Sequence, residues 1–287
     1  MKLEESDFRK NITIAGLGLI GGSIAKAIKG LEAVKLYGID KDKTVLAKAA
    51  DEKVIEKDFA DSKSILSNSD IVIIALYPQE AIRFMETHAK SFKDGAIITD
   101  TCSIKAPVIK AALACLPETV EFVGGHPMAG SEMQGFDAAK KNLFKNTNYI
   151  ITPHERNTVE GLLTVEQLVK TIGCSCITKM RADEHDERVS FTSHLPHVVA
   201  VSMASLAIGE KDLKSFTGQS FKDAVRVAEI NKEMWAQIFS MNDTNIVHRI
   251  EEMENMLSTL KSIIHAHDTS SLMKIFENAI KGKKEIG

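Results

Sequence analysis

The feature that most constrains the fold is a glycine-rich turn between a short apolar run and a helix-forming segment. Residues 12–15 read Ile-Thr-Ile-Ala and lead into Gly-Leu-Gly-Leu-Ile-Gly at 16–21, after which residues 22–27 favour a helix. In such a unit the first glycine permits a tight turn, the second lets a pyrophosphate approach the backbone, and the third allows close helix–strand packing. The helix N-terminus then offers N–H groups to phosphate. The motif therefore predicts a dinucleotide site.

An acidic residue strengthens this prediction, because a bare G-x-G-x-x-G is unspecific. Asp40 ends the next apolar run, 24 residues after Gly16. A carboxylate there accepts hydrogen bonds from the adenosine ribose and repels a 2′-phosphate, which favours NAD over NADP. Lys41 and Lys43 could attract the extra phosphate, so NADP stays open as the less favoured cofactor. The expected cofactor-binding residues are Gly16, Gly18, Leu19, Ile20, Gly21, Asp40 and, from a later strand end, Thr101.

Short apolar runs alternate with helical stretches as far as about residue 179, which is typical of βαβ units and a parallel sheet. The runs are 12–15, 34–39, 71–76, 96–99, 121–123, 149–152 and 174–178. After Met180 the chain reads as helical. We therefore predict an α/β fold class: a Rossmann-type dinucleotide-binding domain with a parallel sheet over residues 1–179, followed by an all-α domain over 180–287.

The helical part carries more apolar surface than a short chain segment covers easily. One stripe has spacings of three and four residues, which indicates a helix seam in a bundle: Ile246, Ile250, Met253, Leu257, Leu260 and Ile264. Residues 189–208 are apolar on nearly every side, so a helix there must be covered all round. The helical domain alone or a second copy could provide this cover, and we expect a homodimer through the helical domain.

Composition excludes several classes of function. Hydrophobic residues make up 44% and charged residues 26%, and the net charge of -3 gives no electrostatic footprint for nucleic acid. No apolar stretch reaches the roughly 18 residues that a membrane span needs, and the first ten residues have no apolar core of a signal peptide. The four cysteines form no C-x-x-C pair and no zinc-type cluster. We expect a cytoplasmic, unanchored protein with reduced, buried thiols.

Two loops at strand ends are candidates for chemistry, since ligands of open parallel sheets lie outside the carboxyl ends of the strands. Residues 100–105 follow the run 96–99, and residues 124–132 follow the run 121–123. The second loop combines small residues with His126, which can take a proton near neutral pH. A lone histidine in a loop is usually structural, but its position at a strand end beside a dinucleotide fold favours a function.

The motifs also carry a resemblance to a known family. They occur in one order over nearly the whole chain: the glycine loop 16–23, Asp-Thr-Cys-Ser-Ile-Lys at 100–105, His-Pro-Met-Ala-Gly-Ser-Glu at 126–132, Ser-His-Leu-Pro-His at 193–197, Phe-Lys-Asp at 221–223 with Arg226, and Met234-Trp235. Together they resemble the prephenate/arogenate dehydrogenase family of tyrosine biosynthesis. The motif at 126–132 followed by the motif at 193–197 is a highly specific combination.

The resemblance implies oxidative decarboxylation of prephenate to 4-hydroxyphenylpyruvate, with hydride transfer to NAD⁺. It implies that His126 accepts the proton of the ring hydroxyl and that Ser103 hydrogen-bonds near the same hydroxyl. Arg226 would bind the ring carboxylate and His197 the side-chain end of the substrate. The residues that would shape or close the pocket are Ser131, Glu132, His194 and Trp235. A histidine at 197 goes with the pyruvyl side chain of prephenate, and arogenate or dual use is the alternative.

The sequence departs from the family pattern in two places. Gly218-Gln219-Ser220 stands where a more glycine-rich stretch is common, and Asn231-Lys232-Glu233 stands where Asp-Pro is common before Met-Trp. At 287 residues the two domains leave nothing for an appended regulatory domain, so we expect any feedback by tyrosine to act in the substrate pocket.

Three other functions deserve comparison. A hydroxyacid or imine-reducing dehydrogenase would use a lysine in the helical domain, for which Lys222 would have to serve, and His126 would be unexplained. A non-catalytic NAD(H)-sensing protein would give His126, Ser103 and Arg226 no reason to occur together. A metal site at His194 and His197, after Glu-His-Asp-Glu at 184–187, is disfavoured because Pro196 disturbs the helix face and no third ligand is placed.

Overall fold

Seven strands form one sheet in the computed structural model, which describes residues 10–31, 34–56, 61–130 and 133–286. The order across the sheet is β2-β1-β3-β4-β5-β6-β7. The strands are β1 (Lys10–Ala15), β2 (Val34–Ile39), β3 (Ile71–Ile74), β4 (Ile97–Asp100), β5 (Glu121–Pro127), β6 (Asn148–Thr152) and β7 (Cys176–Lys179). Each predicted apolar run therefore overlaps a strand.

One strand runs against the prediction of a parallel sheet. The strands β1 to β5 pair in parallel, but β6 is antiparallel to β5, and β7 is parallel to β6. A parallel return needs a crossover, usually a helix, whereas the described part of the connection 128–147 holds only a 3-10 turn, Phe136–Ala138. The sheet is mostly parallel, and β6 returns directly beside β5.

Helices cover both faces of the sheet. In the first part of the chain they are α1 (Leu19–Ile28), α2 (Lys43–Asp51), α3 (Ser62–Leu66), α4 (Pro78–His88), α5 (Ala106–Cys115) and α6 (Val159–Thr171). Successive strand residues point to opposite faces, so Ile71 and Ile73 join the core beneath α1, α2 and α6. Val72 and Ile74 join a second core beneath α3, α4 and α5. This two-sided burial explains the continuous apolar run at β3.

Only helices follow β7 in the described chain. They are α7 (Ala182–Val189), α8 (Leu195–Leu206), α9 (Leu213–Phe216), α10 (Gln219–Val225), α11 (Lys232–Met241), α12 (Asp243–His265) and α13 (Thr269–Ile286). The predicted fold class, a Rossmann-type sheet followed by an all-α part, agrees with this architecture, while a domain boundary near Lys179 stays a prediction. None of the described helices is both long and apolar enough to cross a membrane.

The helical part shares a core with the sheet. Trp235 and Ile238 of α11 are buried in the same cluster as Val72 of β3 and Met85 of α4. At the start of α11, Asn231 accepts a hydrogen bond from the Met234 N–H at 2.9 Å. An asparagine N-cap does here what an aspartate does at that position, so the departure from the family's Asp-Pro leaves the helix start intact.

The apolar stripe on α12 is covered only in part within one chain. Ile246 is buried, but Leu257 and Ile264 are 57% and 59% exposed. The end of α8 is also bare, with Leu206 at 79% exposure. A bundle seam formed by one chain alone therefore does not account for the stripe.

The cysteines are all free. Cys102 and Cys174 are buried, as expected, but Cys115 is half-buried and Cys176 is exposed. The prediction of four buried thiols was wrong for these two. Cys176 begins β7 at the edge of the sheet, where one side meets solvent, and Cys115 is the last residue of α5.

Candidate active site

The glycine loop lies where the strand order reverses. β1 is flanked by β2 on one side and β3 on the other, and crevices of this kind hold ligands at the carboxyl ends of the strands. Gly16 has φ +91°, and a Cβ there would lie 2.4 Å from the Ala75 carbonyl oxygen. A Cβ on Gly21 would lie 1.9 Å from the Gly16 oxygen, whereas one on Gly18 would meet nothing within 4 Å. The first and third glycines are thus required by the fold, and the second leaves open space.

That open space fits a dinucleotide phosphate. Gly18 caps α1 without a side chain, so the first N–H groups of the helix, at Leu19, Ile20 and Gly21, have no acceptor within the helix. Such N–H groups and the helix dipole favour an anion. The predicted pyrophosphate contacts at this turn are therefore compatible with the local geometry.

Asp40 follows β2 at the same end of the sheet. Its carboxylate accepts hydrogen bonds from the N–H of Leu17 at 2.7 Å and of Asp42 at 2.9 Å, which fixes it beside the glycine loop. A carboxylate has lone pairs beyond these two contacts, so it can also accept from ribose hydroxyls. Thr101 follows β4, and its N–H donates to the carbonyl of Ile74, the last residue of β3, at 3.1 Å. The residues predicted to bind the cofactor thus lie at the carboxyl ends of the parallel strands, and their roles stay predictions.

A buried ion pair ties the loop after β4 to β5. The ammonium of Lys105 bonds to the carboxylate of Asp100 and donates to the Gly125 carbonyl at 2.6 Å; both charged side chains are fully buried. Asp100 also accepts from the N–H of Gly125 at 3.1 Å and of Cys102 at 3.0 Å. Buried charges persist when they are paired and hydrogen-bonded in this way. The pair fixes the backbone immediately before His126.

The sequence analysis predicted that His126 lies in a loop, but this residue lies within β5. Pairing with β6 extends the strand, with His126 opposite Ile150 and Pro127 opposite Tyr149. The apolar pattern stops at Val123, so only the long-range pairing reveals the four added residues. A histidine held in a central strand and 9% exposed is rigidly placed.

The ring of His126 contacts a second histidine. Its Nδ1 lies 2.9 Å from His185 Nε2, and His185 Nδ1 lies 2.7 Å from Asp186 Oδ1. Burial lowers the pKa of His126 well below its ordinary value, and electrostatic interactions with His185, Lys105 and His194 lower it further. His126 is therefore neutral at pH 7 and able to accept a proton.

Sequence reasoning missed the roles of His185 and Asp186, which it considered only beside a disfavoured metal site. Both side chains are on α7, whose other charged residues face solvent. The available signal was a His-Asp pair on the otherwise apolar face of an acidic helix. Among the described residues, no three or more His, Cys, Asp or Glu side chains are grouped to hold a metal ion.

A short π-helical turn, Ser190–His194, precedes α8. Pro196 has no N–H for the Thr192 carbonyl, which accounts for a wider turn at this point. The turn buries His194, whose ring lies perpendicular to that of Trp235 at 5.9 Å. Burial lowers the pKa of His194 to about 4.

His197 stacks on Trp235, with 3.8 Å between ring centroids. Its Nδ1 donates to the Ser193 carbonyl at 2.8 Å, so the tautomer of the neutral ring is fixed. The structure thus brings together His194, His197 and Trp235, and His194 is near enough to affect the pKa of His126.

The remaining predicted site residues lie on other elements or outside the described residues. Ser103 is half-buried in the loop after β4. Arg226 is exposed on a 3-10 turn, Arg226–Ala228, that packs against α8, the helix of His197. Ser131 and Glu132 lie outside the described residues.

Comparison with known proteins gives matches along nearly the whole chain. The family model for the prephenate dehydrogenase nucleotide-binding domain matches residues 24–178, and that for the prephenate dehydrogenase dimerization domain matches residues 181–278. A prephenate dehydrogenase of Bacillus subtilis is 34% identical over 96% of this chain and 75% of its own length. A cyclohexadienyl dehydrogenase of Zymomonas mobilis is 31% identical over 96% of this chain and 95% of its own.

Two solved structures are similar to this chain over nearly its whole length. Prephenate dehydrogenase from A. aeolicus, in complex with hydroxyphenyl propionate and NAD⁺, has a TM-score of 0.88 at 28% identity, covering 97% of this chain and 98% of the other. Synechocystis arogenate dehydrogenase has a TM-score of 0.83 at 25% identity, covering 96% and 100%. The resemblance found in the sequence motifs is therefore confirmed, and this chain belongs to the prephenate dehydrogenase family.

Proposed function

We propose that this protein is an NAD-dependent dehydrogenase that converts prephenate to 4-hydroxyphenylpyruvate. The observation that carries the proposal is His126, a buried and neutral side chain near the carboxyl end of β5, at the same end of the parallel strands as the glycine loop. The relatives named prephenate dehydrogenase support the same substrate. Dual use of prephenate and arogenate is the alternative, which the cyclohexadienyl dehydrogenase relative favours.

The reaction needs little beyond alignment and one base. Prephenate is a cyclohexadienol with a ring carboxylate; loss of hydride from C4 and of CO₂ from C1 makes the ring aromatic, which drives the reaction. NAD⁺, when bound, accepts the hydride and becomes NADH. The two C1–CO₂ bonding electrons enter the ring, so the products are NADH, CO₂ and the phenol, and no metal is required for the electron balance.

The protein supplies the proton transfer. His126 takes the hydroxyl proton as the hydride leaves and returns it to the phenolate oxygen when the ring becomes aromatic. The hydroxyl of Ser103, in the loop fixed by Lys105 and Asp100, is proposed to hydrogen-bond to the same oxygen.

Recognition of the dianion falls to the helical part. We assign the ring carboxylate to Arg226 and the pyruvyl end to His197, which lie on neighbouring elements that pack together. Because an arginine paired with the departing carboxylate stabilises the ground state, Arg226 contributes affinity and orientation and not rate. Trp235 and the buried His194 form the wall beneath His197, and Ser131 and Glu132 are proposed to close the pocket.

Asp40 supports NAD as the cofactor. Its carboxylate is fixed by two backbone N–H groups at the carboxyl end of β2, where a 2′-phosphate would meet a negative charge. The exposed Lys41 and Lys43 lie next along the chain, so NADP is the comparison cofactor.

We also propose that the protein is a homodimer through its helical part. Large apolar side chains are exposed on several helices there: Leu206, Phe216, Leu257, Ile264, Met273, Phe276 and Ile280. Exposed apolar surface on this scale marks a protein interface. A second copy fits because the matching family model over 181–278 is described as a dimerization domain.

Free cysteines throughout the described chain favour the reducing cytoplasm.

The first prediction concerns substrate and cofactor. We expect NADH formation, followed at 340 nm, to be faster in kcat/KM with prephenate and NAD⁺ than with arogenate or NADP⁺. Higher kcat/KM with arogenate and NADP⁺ would reverse both assignments. Absence of turnover with either substrate would instead favour the NAD(H)-sensing alternative.

The second prediction separates the roles of His126 and Arg226. His126→Asn should lower kcat by about 10²–10⁴-fold with little change in KM, because it removes the base. Arg226→Ala should raise KM by about 10- to 100-fold with a smaller change in kcat, because it removes a charged contact. Fluorescence of Trp235, the single tryptophan, measures substrate binding to both variants independently of turnover. The opposite kinetic pattern would contradict both assignments.

The third prediction tests the glycine loop. Gly18→Ala should keep the unfolding temperature but raise the Kd for NAD⁺ at least about tenfold, because its Cβ enters only the open space assigned to the pyrophosphate. Gly21→Ala should destabilise the fold itself, since its Cβ meets the Gly16 oxygen. Gly282→Ala, with nothing within 4 Å, is the matched control and should leave NAD⁺ binding unchanged. Unaltered NAD⁺ affinity in Gly18→Ala would contradict the assignment of the pyrophosphate to this turn.

The fourth prediction concerns assembly. Light scattering after size-exclusion chromatography should give about twice the chain mass of 31.5 kDa. Leu257→Glu should shift this mass toward that of one chain, because it places a charge on the exposed stripe of α12. Leu163→Glu, at an exposed site on α6, should stay dimeric. A monomeric unmodified protein, or a dimer insensitive to Leu257→Glu, would contradict this interface.

A further inference from the structure

We infer that His185 and Asp186 are positioning residues that hold His126 in the one tautomer able to accept a proton at Nε2. The purpose of this arrangement rests on the proposed function, in which His126 is the base. The arrangement itself rests on the contacts of three buried side chains.

The three side chains form a continuous chain of hydrogen bonds away from the site. The contacts are 2.9 Å between His126 Nδ1 and His185 Nε2, and 2.7 Å between His185 Nδ1 and Asp186 Oδ1. The rings of the two histidines meet edge to face, with centroids 5.1 Å apart. His185 is 0% exposed and Asp186 3%, so water does not compete for these contacts.

The direction of every bond follows from Asp186. Its carboxylate accepts from the N–H of Lys105, the N-cap of α5, at 2.7 Å and from that of Ala106, the first residue of α5, at 2.8 Å. A helix N-terminus favours a negative charge, and an ionised carboxylate can only accept hydrogen bonds. His185 must therefore donate from Nδ1.

The tautomer of His126 follows in turn. Burial lowers the pKa of His185, although the Asp186 carboxylate beside it acts in the opposite direction, so the ring is neutral at pH 7. A neutral ring that donates from Nδ1 has only a lone pair at Nε2. His126 must then donate from Nδ1, and its own Nε2 carries the lone pair. The other tautomer of His126 would set two lone pairs against each other at 2.9 Å.

A base with the wrong tautomer is catalytically useless at the substrate hydroxyl. In serine proteases, where a buried aspartate orients a histidine, isosteric removal of the carboxylate charge leaves the geometry but lowers kcat by about 10⁴-fold because the tautomer is wrong. Here a second histidine stands between carboxylate and base, and it transmits the same constraint over a longer distance.

Nitrogen NMR of the full-length protein, labelled with ¹⁵N-histidine and without substrate, tests the tautomers directly. At pH 8 we expect Nε2 of both His126 and His185 to have the shift of an unprotonated ring nitrogen and Nδ1 of both to have that of an N–H. Assignment uses His126→Asn and His185→Gln. A protonated Nε2 on either neutral ring would overturn the inference, whatever the activity of the protein.

Two substitutions test the consequence for turnover. His185→Phe keeps an aromatic ring but removes the acceptor, and should lower kcat by at least about 10²-fold while KM stays within about threefold. His185→Gln offers an amide oxygen to the His126 N–H and should restore kcat to within about tenfold of the unmodified protein. A kcat for His185→Phe within about threefold of the unmodified value, or no recovery in His185→Gln, would contradict the positioning role.

The two hypotheses fail in distinguishable ways. If the unmodified protein turns over neither prephenate nor arogenate but shows the expected nitrogen shifts, the proposed function fails and the hydrogen-bond chain stands. If turnover is observed with the opposite shifts, the function stands and the positioning role fails. Should His185→Phe not fold, as judged by circular dichroism, the nitrogen shifts and His185→Gln still decide the question.

Discussion

The buried ion pair between Lys105 and Asp100 is the interaction on which the arrangement of the site depends. Its side chains join the loop after β4 to Gly125, the residue before His126. The backbone N–H of the same lysine donates to Asp186 on α7. Removing one partner of a buried pair costs about 3–5 kcal/mol because the other charge stays uncompensated. Lys105 thus fixes the backbone beside His126, the proposed base, through its ammonium, and it fixes the Asp186 carboxylate through its backbone N–H.

The electrostatic surroundings of His126 suit the proposed role of this residue as the base. Burial, together with electrostatic interactions with neighbouring residues, lowers the pKa of His126, which makes the ring a weak base that stays neutral at pH 7. As the hydride leaves C4, the substrate oxygen becomes that of a protonated carbonyl, which is far more acidic than imidazolium. A weak base therefore suffices, provided that it is unprotonated and correctly oriented. Position and tautomer matter more here than proton affinity, which is why the supporting contacts are buried and numerous.

The sequence predicted what depends on local spacing and missed what depends on long-range pairing. The glycine loop and Asp40 could be located because turn, helix start and strand end follow one another along the chain. The extension of β5 to His126 could not, since it arises from pairing with β6, whose antiparallel direction leaves no local trace. His185 lies 59 residues from His126, and Asp186 lies 81 residues from the amide that it accepts. Neither partner can be chosen from the sequence pattern before the fold brings α7 beside α5.

These long-range contacts also couple the two parts of the chain. Asn242, at the start of α12, donates to the Asp186 carbonyl at 2.9 Å and lies 3.3 Å from His194 Nδ1. His194 in turn packs against Trp235, which stacks on His197. Buried, directional contacts thus connect the residues around His197 with Asp186, which contacts His185 and through it His126. Because such contacts have few alternative geometries, residues of the helical part and of the sheet both contribute to the placement of His126.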